Sequence, residues 1–224
     1  MKIGIFDSGR GGELIASGIK PLLPPTYEYM VVNDREHVPY GSRTNTEIIE
    51  LAYHALAPLI DAQCDIIVIA CNTATMAGIE TLRTRHPGIL FVGTEPMIKP
   101  ADTMSISGRI IVLGTPLTVQ SHRYRLLKQK YASGITVSEP DTSSWAAKIE
   151  YGESDTIDFS EISRLVAHGS DVIVLACTHY LALKNRFRSV FPDVQVLEPT
   201  NAIARQILRL TGGINRSPTI HQYD

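Results

Sequence analysis

Two short phrases hold the residues of this chain that are best suited to chemistry. Asp65-Ile-Ile-Val-Ile-Ala-Cys71-Asn72-Thr73 is echoed by Asp171-Val-Ile-Val-Leu-Ala-Cys177-Thr178-His179, with the two cysteines 106 positions apart. A thiol has a reference pKa of about 8.5, and its thiolate is favoured at a helix N-terminus, where free backbone N–H groups and the helix dipole stabilise negative charge. One such thiolate attacks an acyl carbon with a histidine as base. Two that face one another across a substrate have another use. One removes a proton from carbon while the other delivers a proton to the opposite face, and the stereocentre inverts. Positioned proton transfer contributes about 10²–10⁴-fold, so the polarity of the site must also stabilise the carbanionic transition state.

Packing is the competing explanation, because free cysteine is among the most buried residue types. Packing alone does not require Asn72-Thr73 after one cysteine and Thr178-His179 after the other, nor a match between the two copies. Cys64 shows the contrast: it precedes its apolar run, among Asp61, Gln63 and Asp65, and is assigned no role.

Each apolar, β-branched run before a cysteine reads as a strand buried on both faces of a parallel sheet, and ligands in such sheets bind beyond the strand ends. Strand-like runs fall near 2–6, 27–32, 65–70, 89–92, 109–113, 135–137, 171–176 and 194–197, and helix-like segments alternate with them. The segment 44–62 predicts one amphipathic helix, opened by a capping box of Thr44 and Glu47. Alternation of this kind builds βαβ units with right-handed crossovers. The run from Lys2 to Ser8 overlays that from Arg109 to Thr115 at an offset of 107, almost the spacing of the cysteines. The chain therefore reads as two pseudo-symmetric three-layer α/β domains with largely parallel sheets. The last helical pattern, Asn201 to Leu210, is expected to pack back on the first half, which assigns residues 1–97 plus 201–224 to one domain and 98–200 to the other. The polar tail 211–224 reads as an edge strand or a loosely ordered segment.

Other polar groups cluster at comparable strand ends. Asp7-Ser8-Gly9-Arg10-Gly11-Gly12 follows the first strand and reads as an anion loop leading into a helix. Leu14 stands where a dinucleotide fingerprint needs its third glycine, and no Gly-Lys-Ser/Thr is present for a Walker loop. What remains is a loop of backbone donors bearing an acid, suited to a carboxylate-containing amino acid, with a tight turn at Gly11-Gly12 as the plainer reading. Asp34 and Val38-Pro39-Tyr40-Gly41 make a second loop, for which a simple turn is the plainer reading. A net charge of −2 over 224 residues suggests no surface for nucleic acid or anionic membrane. No apolar stretch approaches the ~20 residues that span a bilayer, and the start lacks a signal-peptide pattern. Three cysteines without a Cys-x-x-Cys argue for free thiols in a reducing, cytoplasmic compartment rather than a disulfide framework or zinc site.

In this order, Phe6-Asp7-Ser8-Gly9-x-Gly11-Gly12, Val38-Pro39-Tyr40-Gly41, Ala70-Cys71-Asn72-Thr73-Ala74, Glu95-Pro96 and Cys177-Thr178-His179-Tyr180 resemble the motifs of the glutamate racemases, in the aspartate/glutamate racemase superfamily. The resemblance runs from about residue 2 to 210. It implies a cofactor-independent racemase with its active site in the cleft between the two domains, usually a homodimer, supplying D-glutamate for peptidoglycan. By the same resemblance Cys71 and Cys177 are the acid/base thiols, assisted by Asp7 and His179 respectively. Ser8, Tyr40, Gly41, Asn72, Thr73 and Thr178 are implied to hold the substrate or tune the thiols, and Glu150 to support the histidine.

The chain departs from the family pattern at Arg10, Glu13, Arg35 and Leu181, and is shorter around 135–157. Arg10 and Glu13, three apart, suggest a surface ion pair or, alternatively, an arginine that reads a substrate carboxylate. Three functions stay open: racemisation of glutamate, racemisation of aspartate or another acidic amino acid, and a non-catalytic ligand-binding or regulatory role. In the resemblance His179 points to glutamate, since aspartate racemases usually carry Cys-Thr-Glu there. Both cysteines being intact points away from a protein that only binds.

Overall fold

The computed structural model describes residues 1–212. Eight strands lie in them: β1 (Lys2–Asp7), β2 (Glu28–Asn33), β3 (Ile66–Ile69), β4 (Leu90–Gly93), β5 (Arg109–Gly114), β6 (Thr136–Ser138), β7 (Val172–Ala176) and β8 (Gln195–Leu197). They form two four-stranded sheets, β2-β1-β3-β4 and β6-β5-β7-β8, with every pairing parallel. The strand orders are identical once the second set is renumbered. The duplication seen in the sequence is thus a repeat of topology, with β3 and β7, which lead to the cysteines, at equivalent inner positions.

Each sheet is apolar on both faces, as the unbroken β-branched runs require. Ile67 and Ile69 point into one cluster and Ile66 and Val68 into another. In the second sheet Ile173 and Leu175 oppose Val172 and Val174 in the same way. Helices cover all four faces and complete the three-layer α/β arrangement. In the first part of the chain these are α1 (Gly11–Ile19), α2 (Asn45–Ala55), α3 (Ala57–Asp61), α4 (Asn72–Arg85) and α5 (Ile98–Met104). The rest are α6 (Pro116–Gln120), α7 (His122–Tyr131), α8 (Trp145–Glu150), α9 (Ser160–Ala167), α10 (Lys184–Val190) and α11 (Thr200–Leu210).

The segment 44–62 is two helices rather than one. Thr44 and Glu47 form the capping box that opens α2, but α2 ends at Ala55 and α3 begins at Ala57. Pro58 explains the interruption, because it has no N–H to continue the α2 ladder. From the other end of the chain, α11 returns to the first sheet: Ile203, Ala204 and Ile207 join Ile3, Ile5, Ile15 and Ile19 in one buried cluster. Helix α5 instead packs with the second sheet through Ile98 and Ala101. The tail read as an edge strand or loose segment lies, beyond Gly212, outside the described residues. Among the described residues no helix is long and apolar enough to cross a membrane.

The return of α11 has a measurable consequence. Ile207 is fully buried, so Ile207→Ala should lower stability by about 2–5 kcal/mol, whereas Arg205→Ala on the exposed face should stay within about 0.5 kcal/mol. Urea unfolding midpoints at constant m-value check both. Equal effects would mean that α11 contributes little to the core.

Candidate active site

The C-terminal ends of both sheets meet in one cleft. After β3 the chain passes through Ala70 to Cys71, the N-cap of α4, whose Sγ accepts the Ala74 N–H at 3.4 Å. Ser8, just past the neighbouring end of β1, places its Oγ 3.3 Å from the same sulfur. Cys177 follows β7, but the turn after it is different. The Cys71 carbonyl accepts from Thr75, an α-helical bond, whereas the Cys177 carbonyl accepts from Tyr180 and starts a 3-10 turn over Thr178–Leu183. The expectation of two matching helix N-termini therefore holds for Cys71 and fails for Cys177. The Cys177 sulfur has His179 Nδ1 at 3.9 Å, and the backbone N–H groups of His179 and Tyr180 oppose the rise in its pKa.

Both thiols are buried, and desolvation outweighs the helix terminus. Burial pushes Cys71 up to about 11, with the charge of Asp7 adding to it and the Ser8 and Ala74 donors opposing it. Burial also raises Cys177, helped by Cys71 and Asp7. Burial in the closed cleft thus favours two protonated thiols over the thiolates that helix placement alone suggests.

Asp7 is fully buried and does not bond to Cys71. Its Oδ1 accepts the Gly9 N–H at 2.9 Å, and its Oδ2 accepts the hydroxyl of Thr178 at 2.8 Å from across the cleft. Burial pushes its carboxyl up to about 6, against the lowering effects of His179 and these two donors. His179 Nε2 lies 3.0 Å from Glu150 Oε2. Glu150, at the end of α8, also takes the Arg10 N–H at 3.0 Å and Arg35 Nε at 3.0 Å. Burial raises the Glu150 carboxyl, but Arg10, His179 and Arg35 outweigh it and hold it below its ordinary value.

The glycine loop is not an open anion loop. Two of its backbone donors, Gly9 and Arg10, are occupied by Asp7 and Glu150. A Cβ on Gly9 would stand 2.6 Å from His179 Nε2, and one on Gly11 would overlap the Thr178 side chain. The glycines are required because the Cys177-Thr178-His179 turn seats directly on them. Glu13 accepts from Asn33 at 2.6 Å, and no Arg10–Glu13 pair forms among the described residues.

Ser8, Tyr40, Gly41, Asn72, Thr73, Thr178 and His179 converge with both cysteines on one cavity of about 20 Å³, room for a single water. Asp7 and Glu150 stand behind this lining rather than in it. Tyr40 donates to Asp34 at 2.6 Å, and His37 Nδ1 lies 2.7 Å from the same carboxylate. Asn72 is buried, yet neither its side-chain oxygen nor its nitrogen has a partner. Val38, Pro39, Ala146 and Thr115 complete the wall. Thr115 Oγ1 lies 3.0 Å from Thr73 Oγ1. Thr115 was legible in principle, since the offset of 107 that overlays β5 on β1 places it on Ser8. Among the described residues no three His, Cys, Asp or Glu side chains are grouped as metal ligands.

A family model described as Asp/Glu/Hydantoin racemase matches residues 13–207. This chain belongs to that racemase family. Glutamate racemase of Ectopseudomonas mendocina is 36% identical over 216 residues, covering 94% of this chain and 82% of that protein. The glutamate racemase of Herpetosiphon aurantiacus is 36% identical over 214 residues, covering 93% and 84%. The structure of glutamate racemase isoform RacE1 from Bacillus anthracis superposes with a TM-score of 0.74 at 26% identity, over 94% of this chain and 82% of that one. The Escherichia coli glutamate racemase, solved with L-glutamate and the activator UDP-MurNAc-ala, reaches 0.83 over 100% of this chain and 86% of its own, and at 24% identity it shares the fold. The racemase described here is accordingly an isomerase.

The Asp7 environment predicts a stability signature. Its pKa rises from 3.8 to about 6 on folding, so the folded state favours the protonated acid. The penalty for ionising Asp7 is absent below about pH 4, grows between pH 4 and 6, and is complete above that. Asp7→Asn should therefore stabilise the racemase at pH 7.5 by about 1–3 kcal/mol, with the gain vanishing toward pH 4. Denaturant titrations at both pH values measure this, and a variant less stable than wild type at pH 7.5 would refute it.

Proposed function

We propose that this racemase interconverts L- and D-glutamate by a two-base mechanism without an organic cofactor, with Cys71 serving one face of the α-carbon and Cys177 the other. One observation carries the reading: two buried thiols, contributed by equivalent strands of two repeated sheets, line a single cavity. The names of the relatives supply the substrate.

In this mechanism the cleft opens to admit the amino acid, since a cavity of about 20 Å³ does not hold one. On closure the unpartnered Asn72 amide offers a donor to the substrate carboxylate and an acceptor to its ammonium. Ser8, Thr73, Thr178, Tyr40 and the Gly41 backbone are further polar contacts. The substrate's positive charge enters a site where burial and Asp7 have raised both thiols, and it favours a thiolate. One cysteine passes its proton to its neighbouring partner and removes the α-hydrogen as a thiolate. The opposite thiol then donates its proton to the other face. His179, beside Cys177 and held by Glu150, handles the proton on that side; on the other, Ser8 Oγ, 3.3 Å from Cys71 Sγ, is placed to relay it, and Asp7 acts on Cys71 through its charge. Product D-glutamate would enter peptidoglycan synthesis, in a cytoplasmic enzyme that works as a homodimer.

Aspartate is the second reading. An aspartate racemase from Picrophilus torridus shares the fold with a TM-score of 0.64 at 18% identity. His179 following Cys177 and Thr178 favours glutamate.

In deuterated water, without added pyridoxal phosphate, the protein should exchange the α-hydrogen of both glutamate enantiomers and racemise them. Cys71→Ala and Cys177→Ala should each cost at least about 10²-fold in turnover. Near-wild-type turnover by either variant removes the two-base assignment. Faster exchange with aspartate transfers the reading to that substrate, and exchange with no amino acid leaves only a binding role.

A further inference from the structure

Glu150 is held from both sides of the cleft. Its Oε2 meets His179 of its own half at 3.0 Å and also accepts the Arg10 N–H at 3.0 Å from the other half. Its Oε1 accepts Arg35 Nε at 3.0 Å, again from the other half. The Glu150 side chain is 4% exposed and that of Arg35 is 59% exposed, so a solvent-reached guanidinium grips a buried carboxylate. The terminal torsion of a glutamate is broad and roughly two-fold, so bonds to one oxygen leave the plane of the carboxylate loosely defined. A charge-assisted bond to the second oxygen defines it.

We infer that Arg35 is a positioning residue for the reaction: with the cleft closed it fixes the plane of Glu150 and, through it, the His179 ring beside Cys177. The inference rests on the reading of Cys177 and His179 as a working pair. Arg35 sits in the turn after β2, and Glu150 ends α8 over the second sheet, so the bond exists only while the two halves are together. Alignment of His179 is thereby tied to closure. The groups that meet Glu150 are the His179 ring, the Arg35 guanidinium and the Arg10 backbone N–H, with Glu13 on the same outer cavity and Asp7 beyond the histidine. That outer cavity, of about 440 Å³, borders Arg35, Arg10 and His179, so a small cation can reach the place of the guanidinium.

The test uses the full-length protein with Arg35→Met, Arg35→Lys and Arg35→Ala. Arg35→Met should lower kcat about 10-fold, the scale of one charge-assisted hydrogen bond, with KM for glutamate changing less than kcat. Arg35→Lys, which keeps a cation within reach of Glu150, should retain more of kcat than Arg35→Met. Millimolar methylguanidinium should restore part of the activity of Arg35→Ala, which a merely structural loss would not allow. Unchanged kcat in Arg35→Met would overturn the inference, as would lost activity in Arg35→Ala that methylguanidinium leaves unrestored. Cys177→Ala separates this from failure of the underlying mechanism. If it stays active, the two-base reading falls whatever Arg35 does; if it is inactive while Arg35→Met matches wild type, only the role of Arg35 falls.

Discussion

The close approach of the Thr178 and His179 side chains to the glycine-loop backbone, at the bottom of the cleft, governs the rest of this structure. The turn Cys177-Thr178-His179 lies on the loop Gly9–Gly11 so tightly that a single added carbon would meet His179 or Thr178. At this distance the Thr178 hydroxyl reaches Asp7, the Arg10 N–H reaches Glu150, and both thiols fall on one cavity. Glycine serves here for its missing side chain more than for its freedom of backbone conformation. A larger residue at Gly11 would hold the second sheet away from the first and separate the two sulfurs.

That closeness has an electrostatic cost. Excluding water from the cleft raises Asp7 and both cysteines against ionisation. For a fold alone this is unfavourable, since buried acidic groups contribute less than apolar ones would. For the proton transfer proposed above it would be useful, because donors and charges act more strongly where water is absent. Polar groups stand beside both sulfurs: Ser8 and the α4 terminus at Cys71, and His179 with Glu150 near Cys177.

The two copies of the strand phrase share topology but not local chemistry. At Cys71 the chain enters an α-helix and the sulfur caps it. At Cys177 the chain tightens into a 3-10 turn, and the imidazole approaches the sulfur instead. The tighter turn is also what lets Thr178 and His179 face the glycine loop. The repeat therefore supplies a pair of equivalent positions, and divergence of the following two residues equips each differently.

Much of this was written in the sequence itself. Unbroken β-branched runs can satisfy water exclusion on two faces only inside a covered parallel sheet, so the strands, the duplication and the placement of Cys71 and Cys177 at strand ends followed from pattern alone. The capping box at Thr44 did too, being local in the chain, and Pro58 already held the reason why 44–62 is two helices. What the tertiary structure alone decided are the contacts across the cleft: Asp7 with Thr178, 171 residues apart, Arg10 with Glu150, 140 apart, and Arg35 with Glu150, 115 apart. Residue type and spacing carry no record of which side chains a docking of two sheets will bring within 3 Å. The same holds for the thiols: position at a helix terminus is local and argues for thiolate, while desolvation is a property of the closed cleft and reverses the balance.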